Sequence, residues 1–281
     1  MKTIKIHIWR RAIQTGVAVL FIILPTLNQA GLNFVWGNFL NIHVGCLTFS
    51  DPLAVFQIAL KNHYLPIGLL IGAGMILAIS FFLGTIFCSW ICPFGLLSEL
   101  VNSFSSRVWP KRFRNRKVQK RGFAVKAAVF CTGFLVFWAF FRTPILNQVS
   151  MPFQYSNIFQ YLFMQNALAP AIWFMGAVLL AEFLLQTRLW CRWICPQSVL
   201  LAVVKRFNPF ALKIIFQQKN CISNKGPFPC QQACSLDLDP KRIGIDGWTL
   251  AQCTNCGDCV DACGKTGKAL VYKFSLKNDG Q

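Results

Sequence analysis

Residues 88–93 read Cys-Ser-Trp-Ile-Cys-Pro, and residues 191–196 read Cys-Arg-Trp-Ile-Cys-Pro. The same C-x3-C-P thiol pair stands twice in a chain of 281 residues, 103 positions apart. Each copy closes an apolar stretch, 65–87 or 170–190, and each runs on into further apolar residues, FGLLSELV and QSVLLAVV. Thiols at i and i+4 share a helix face. The residue before proline is pushed out of the helical region, so each helix is expected to end near the second cysteine. A duplicated helical hairpin, each copy ending in a thiol pair, follows from this repeat. The two helix ends would turn Cys88, Cys92, Cys191 and Cys195 towards each other.

The hairpins are built for lipid. Hydrophobic residues make up 55% of the chain and charged residues only 13%, against about 25% charged in soluble domains. Mean hydropathy is +0.48. Ala12–Ala30, Leu65–Phe87, Phe123–Phe141 and Pro170–Trp190 are each near the roughly 20 residues needed to cross a bilayer. The first stretch, behind Lys2, Lys5, Arg10 and Arg11, also resembles a signal peptide, but Asn28-Gln29-Ala30 is a poor cleavage site and an uncleaved anchor is expected. Pro25 is expected to kink or end that helix.

A formal charge of +19 raises the question of nucleic acid. The basic residues instead flank apolar runs, at positions 2–11 and 107–126, which is how cytoplasmic loops are anchored. Nucleic acid is therefore not an expected partner. The same rule places both termini in the cytoplasm, with 31–64 and 142–169 outside. The expected fold is an all-α polytopic membrane bundle of four transmembrane helices over residues 1–210. A small cytoplasmic ferredoxin-like domain takes up residues 211–281.

Thirteen cysteines are present, and seven crowd into residues 221–263. Such clustering points to metal or redox work under reducing conditions. Cys253, Cys256, Cys259 and Cys263 have the C-x2-C-x2-C-x3-C spacing of a four-iron ferredoxin loop, whose last cysteine ligates the other cluster. Zinc sites normally pair two short knuckles across a longer gap. Upstream stand Cys221, Cys230 and Cys234, one thiol short of a full second motif, with Gln218 where its first cysteine would fall. Crossed ligation completes one set, Cys234, Cys253, Cys256 and Cys259. It leaves Cys221, Cys230 and Cys263 with one corner open, for a non-thiol ligand, a thiol of the twin motifs or a three-iron cluster. One or two [4Fe-4S] clusters are thus expected. Cys131 is expected to be a small buried hydrophobe. His43 and Cys46 form a pair too sparse to hold a metal by themselves.

These motifs resemble the NapH/MauN-type membrane ferredoxins over nearly the whole chain. The match rests on Cys88, Cys92 and Pro93, on Cys191, Cys195 and Pro196, and on Cys253, Cys256, Cys259 and Cys263; Ser50-Asp51-Pro52-Leu53 also resembles the family's segment before the second span. Gln218 and Gly264, which stands where proline often follows the fourth cysteine, depart from the pattern and bear on the first cluster. The resemblance implies a quinol dehydrogenase component that draws on the membrane quinone pool. It would serve a periplasmic ferredoxin-type or cytochrome c partner. Glu182, the one acid inside a span, and Asp51 are then the candidate quinone-site residues, since an intramembrane carboxylate is a functional candidate by default. The competing readings are an ion partner or interhelical bond for Glu182 and a turn or cap for Asp51. The twin motif also occurs in NosR and in CcoG-type proteins. The latter keep open a copper-handling or maturation role, for which soft thiolates suit Cu(I). A membrane redox sensor is a third reading.

Overall fold

A computed structural model describes residues 6–31, 34–62, 66–109, 122–140, 145–165, 170–208, 212–221, 228–242, 251–264 and 267–274. The basic segment 111–121, Arg142 and the loop 243–250 lie outside the described residues.

The first half opens with α1 (Ile6–Gln29), in which Pro25 is accommodated without ending the helix. Three short strands follow, β1 (Val35–Asn38), β2 (Asn41–Val44) and β3 (Leu47–Ser50), paired antiparallel in the order β1-β2-β3. They correct the all-α expectation for this region. The meander folds back onto the bundle rather than standing away from it. Gly72 makes that approach possible: a Cβ there would lie 2.1 Å from the Thr48 carbonyl oxygen. Then come α2 (Pro52–Asn62), α3 (Ile67–Leu83), a π-turn (Phe87–Ile91) and α4 (Pro93–Val108).

The second half keeps the helical order, with a short helix where the first half has its strands. It runs α5 (Gly122–Phe140), α6 (Ile145–Gln148), α7 (Met151–Met164), α8 (Ala171–Leu185), a second π-turn (Trp190–Ile194) and α9 (Pro196–Phe207). The repeat goes further than the thiols. Ser50-Asp51-Pro52 opens α2 and Ser150-Met151-Pro152 opens α7.

The apolar helices α3 and α8 are shorter than their sequence stretches. Gly84 takes a left-handed φ of 72° and Gln186 one of 52°, so each helix breaks before its motif. Two helices, Ile6–Gln29 and Phe123–Phe140, are long and apolar enough to cross a membrane, with only 28% and 17% of their apolar windows buried. A core helix of a soluble domain would be mostly covered. The apolar helices instead turn large side chains outward, Ile67 on α3, Leu135 and Phe140 on α5 and Trp173 on α8 all being more than two-thirds exposed.

The tail is framed by β4 (Leu212–Phe216) and β5 (Leu270–Phe274), paired antiparallel with Ile214 opposite Tyr272. Between them lie α10 (Pro229–Gln232) and α11 (Asp258–Gly264). Ile214, Leu236, Leu238, Ala269 and Leu270 form its core together with Cys230, Cys253, Cys259 and Cys263.

The tail is docked, not tethered. Arg10 of α1, wholly buried, reaches Glu99 of α4 at 2.6 Å and Asp258 of α11 at 3.1 Å. Burial alone would raise the Glu99 pKa, but Arg10 and Arg188 hold its carboxyl below the usual value. His7 meets Asp261 at 3.1 Å.

Candidate metal centre

Both motifs fold as single π-turns. The Cys92 amide donates to the Phe87 carbonyl at 3.0 Å, and the Cys195 amide donates to Trp190 at 2.9 Å. π-bulges of this kind occur mostly at functional sites. Cys92 and Cys195 then leave the helical region, with ψ of 116° and 112°, as expected of residues before proline. Pro93 and Pro196 start new helices at N1, where a missing amide costs nothing.

All four motif thiols line one cavity, walled also by Phe94, Met151, Pro152 and Trp190. Cys92 and Cys195 are buried against Met151 and Trp190, and Cys191 packs on the same cluster. Helices α4, α7 and α9 begin at this cavity. Their free amides and dipole ends favour negative charge there. Asp51, just before α2, lies near Gln197 of the cavity wall.

Among the described residues, no three His, Cys, Asp or Glu side chains close on a single-ion site. Four thiols spread around a cavity suit a cluster, in which each iron takes one thiolate. Two cations sit at this site, Arg188 beside Cys191 Sγ and Lys126 in the cavity wall. Lys126 of α5 is buried, lines the cavity and donates from Nζ to the Cys191 carbonyl at 2.7 Å.

In the tail, Cys234, Cys253, Cys256 and Cys259 line a second cavity together with Leu236, Leu238 and Pro240. This is the complete crossed set expected from the sequence. Backbone amides point at the thiols: Leu238 N lies 3.4 Å from Cys234 Sγ, and Ala269 N lies 3.2 Å from Cys263 Sγ. Burial pushes the Cys234 thiol up to about 12, against the pull of the Leu238 and Leu236 amides. Cys230 and Cys263 are neighbours, and Cys221 packs on the same core. The fourth corner of this set has no thiol among the described residues.

The two thiol systems touch. Cys191 packs both on the twin-motif cluster and on the tail core that holds Cys253 and Cys259. The variable second residue of each motif also grips the tail. Ser89 donates to the Thr254 carbonyl at 2.6 Å, and Arg192 meets Asp237 at 3.2 Å. Lys205 of α9, wholly buried, donates to the Cys253 carbonyl and to Asn255.

The structure brings together Cys88, Cys92, Cys191 and Cys195, and the tail cysteines beside them. Glu182 and Asp51 flank the four-thiol cavity without lining it. Glu182, fully buried, accepts from Ser98 Oγ and from the Trp190 amide at 3.0 Å, so it holds the start of the second π-turn. Asp51 accepts from the Leu53 amide at 3.0 Å and from Asn147, which also bonds Gln57. This network fastens α2 to α6. Cys46 and Cys131 are exposed and apart from both sites, so Cys131 is not the buried filler the sequence suggests. His43 stacks on Trp36 and bonds Thr48. The sequence reading missed Lys126, Lys205 and Arg10 as working residues. Their one signal was a cation in or beside an apolar run, and topology explains that equally well.

Buried cysteine sets of this spacing, amides aimed at sulfur and a two-stranded frame suit a protein that binds iron–sulfur clusters. The comparisons agree. A 4Fe-4S binding domain family (Fer4_5) matches residues 65–112 and 166–215, one copy on each C-x3-C-P half. The ferredoxin-type protein NapH of Haemophilus influenzae is 25% identical over 96% of this chain and 90% of its own length. The methylamine utilization ferredoxin-type protein MauN of Methylorubrum extorquens is 28% identical over 73% of this chain and 67% of its own. The putative electron transport protein YccM of Escherichia coli is 27% identical over 72% of this chain, which spans only 54% of YccM. No solved structure matches. The chain is thus similar to ferredoxin-type proteins of the NapH and MauN kind, and each of its motif halves matches the 4Fe-4S binding domain model.

Proposed function

We propose that the protein is a membrane-bound electron-transfer subunit that oxidises membrane quinol and passes the electrons to a redox partner, a periplasmic ferredoxin-type protein or a cytochrome c. The observation that carries the reading is Cys191, packed at once on the twin-motif cluster and on the tail core. A motif cysteine packed on the tail core supports electron passage between the bundle and the tail.

In this reading the chain crosses the membrane four times, by α1, α3, α5 and α8, with both motifs and the tail on the cytoplasmic side. The outward apolar side chains of these helices support it. At about 1.5 Å per residue the 17 residues of α3 reach about 25 Å, close to the hydrocarbon thickness of a bilayer. The 15 residues of α8 fall short, and the π-turn beyond adds the rest.

Cys234, Cys253, Cys256 and Cys259 would hold one [4Fe-4S] cluster. Cys221, Cys230 and Cys263 would hold a second, with a non-thiol corner or as a three-iron form. Cys88, Cys92, Cys191 and Cys195 would hold a third centre, on the segments that the 4Fe-4S family matches. When bound, such clusters supply one-electron carriers. The chain's residues bury them and aim amides and cations at them. Quinol oxidation releases two protons, and Asp51 and Glu182 are the buried acids proposed to take part in their release.

Anaerobic purification in mild detergent, iron and sulfide counting, and EPR after adding menaquinol or ubiquinol test the reading. Quinol-reducible clusters support it. Clusters that dithionite reduces and quinol does not would sink quinol oxidation.

A further inference from the structure

Lys126 is out of place for a topology marker. It lies in an apolar helix, and its neighbours Val125 and Val129 face outward, yet Lys126 itself is only 5% exposed. Its Nζ donates 2.7 Å to the Cys191 carbonyl inside the four-thiol cavity. Among the described residues it makes no ion pair with a carboxylate. The groups that act on it electrostatically are the thiols of Cys195, Cys88 and Cys191.

Burying an ammonium without an anion is costly, and proteins pair such charges or neutralise them. Arg188, the other cation at this site, differs. It reaches Ser98, Ser235, the Gly95 carbonyl and Cys191 Sγ, and it feels Glu99 and Glu182. Lys126 has only the thiol ring before it. Four thiolates on an iron–sulfur core carry net negative charge and would supply the missing partner.

We infer that Lys126 is the counter-charge of the metal–sulfur centre held by Cys88, Cys92, Cys191 and Cys195, and that it sets that centre's reduction potential. This rests on the reading that those thiols hold such a centre. The sign follows from charge. Reduction adds one electron and makes the centre more negative, so a nearby cation favours the reduced form, and its removal lowers the midpoint. Without the centre the relation reverses, because Lys126 is then a buried cation with nothing to neutralise it.

The test uses the full chain with Lys126→Arg, Lys126→Gln and Lys126→Met, purified anaerobically. Three quantities are read: iron and sulfide per chain, midpoint potentials by EPR-monitored titration, and the thermal midpoint of chelator-stripped protein. Glutamine keeps a donor for the Cys191 carbonyl without the charge, which separates anchoring from electrostatics. The expected result is a lower midpoint for the twin-motif centre in the Gln and Met variants and a near wild-type midpoint in Arg. The tail midpoints should stay put, and the stripped Met variant should melt above the stripped wild type. Loss of the centre in Gln and Met with retention in Arg is the same result in stronger form. An unmoved midpoint in Gln and Met, or loss in all three variants, overturns the role of Lys126. A separate outcome overturns the underlying reading: a Cys88→Ser, Cys191→Ser double variant that keeps every iron and every EPR signal.

Discussion

Lys205 Nζ lies 2.7 Å from the carbonyl oxygen of Cys253, so a fully buried ammonium of the bundle holds the first turn of the ferredoxin loop. Thr85, in the break after α3, donates its hydroxyl to the same oxygen at 2.6 Å. The loop is therefore positioned by two halves of the duplicated bundle at a single atom. Lys205→Met removes that bond and the one to Asn255 at 2.9 Å. The Cys253 oxygen keeps Thr85, so the loss falls mainly on the buried Asn255 oxygen, at about 1–3 kcal/mol. The tail cluster of this variant should bleach at a lower temperature in visible absorbance, and Lys205→Arg should recover part of the loss.

Arg10 couples the start of α1 to both α4 and the tail through Glu99 and Asp258. Arg10→Ala leaves two carboxylates in a buried site without their cation. Breaking a buried pair from one side costs about 3–5 kcal/mol, and limited proteolysis should cut the tail free much faster. Arg11 also reaches Glu99, but its side chain is 49% exposed. Arg11→Ala should change stability by no more than about 1 kcal/mol.

Two glycines of α3 make an internal comparison. At Gly72 an added Cβ would meet the Thr48 carbonyl at 2.1 Å and the Ser50 amide at 2.8 Å, both backbone. At Gly74 it would meet nothing within 4 Å. Gly72→Ala should displace β3 and lower the thermal midpoint sharply. Gly74→Ala should leave it unchanged or raise it, by up to about 1 kcal/mol from helix propensity.

The thirteen cysteines should separate by iron content. Cys46→Ser and Cys131→Ser, both exposed and away from the cavities, should keep the full complement. Cys256→Ser, in the complete tail set, should lose about four irons per chain, the content of one cubane. Equal loss in the Cys131 variant would contradict the assignment of the sites.

The sites were legible where their chemistry is local. The C-x2-C-x2-C-x3-C run and the twin C-x3-C-P motifs fix their own geometry over a few residues, and proline sets where α4 and α9 begin. The ends of α3 and α8 were not legible. Gln186 adopts φ 52° because tertiary packing demands it, and nothing in its side chain announces that. The three strands are four residues each, too short for a period, although Gly37 and Gly45 at positive φ mark bends. The Ser-x-Pro starts of α2 and α7 could have been read as a second repeat element, but their spacing differs from that of the thiols. Lys126 could not be placed from sequence. Helix α5 is apolar around its whole circumference, so no wheel shows which side meets protein.

Arg10 on α1 and Lys126 on α5 are both buried cations of the helix that opens its copy, and their tasks differ. One cation now clasps the tail, and the other faces the sulfur ring. A symmetric pair of half-length chains would put the same residue in both places and could not divide these tasks. Joining the copies in one polypeptide gave each half its own evolutionary course, so a site assembled by near-symmetry is tuned by its asymmetry.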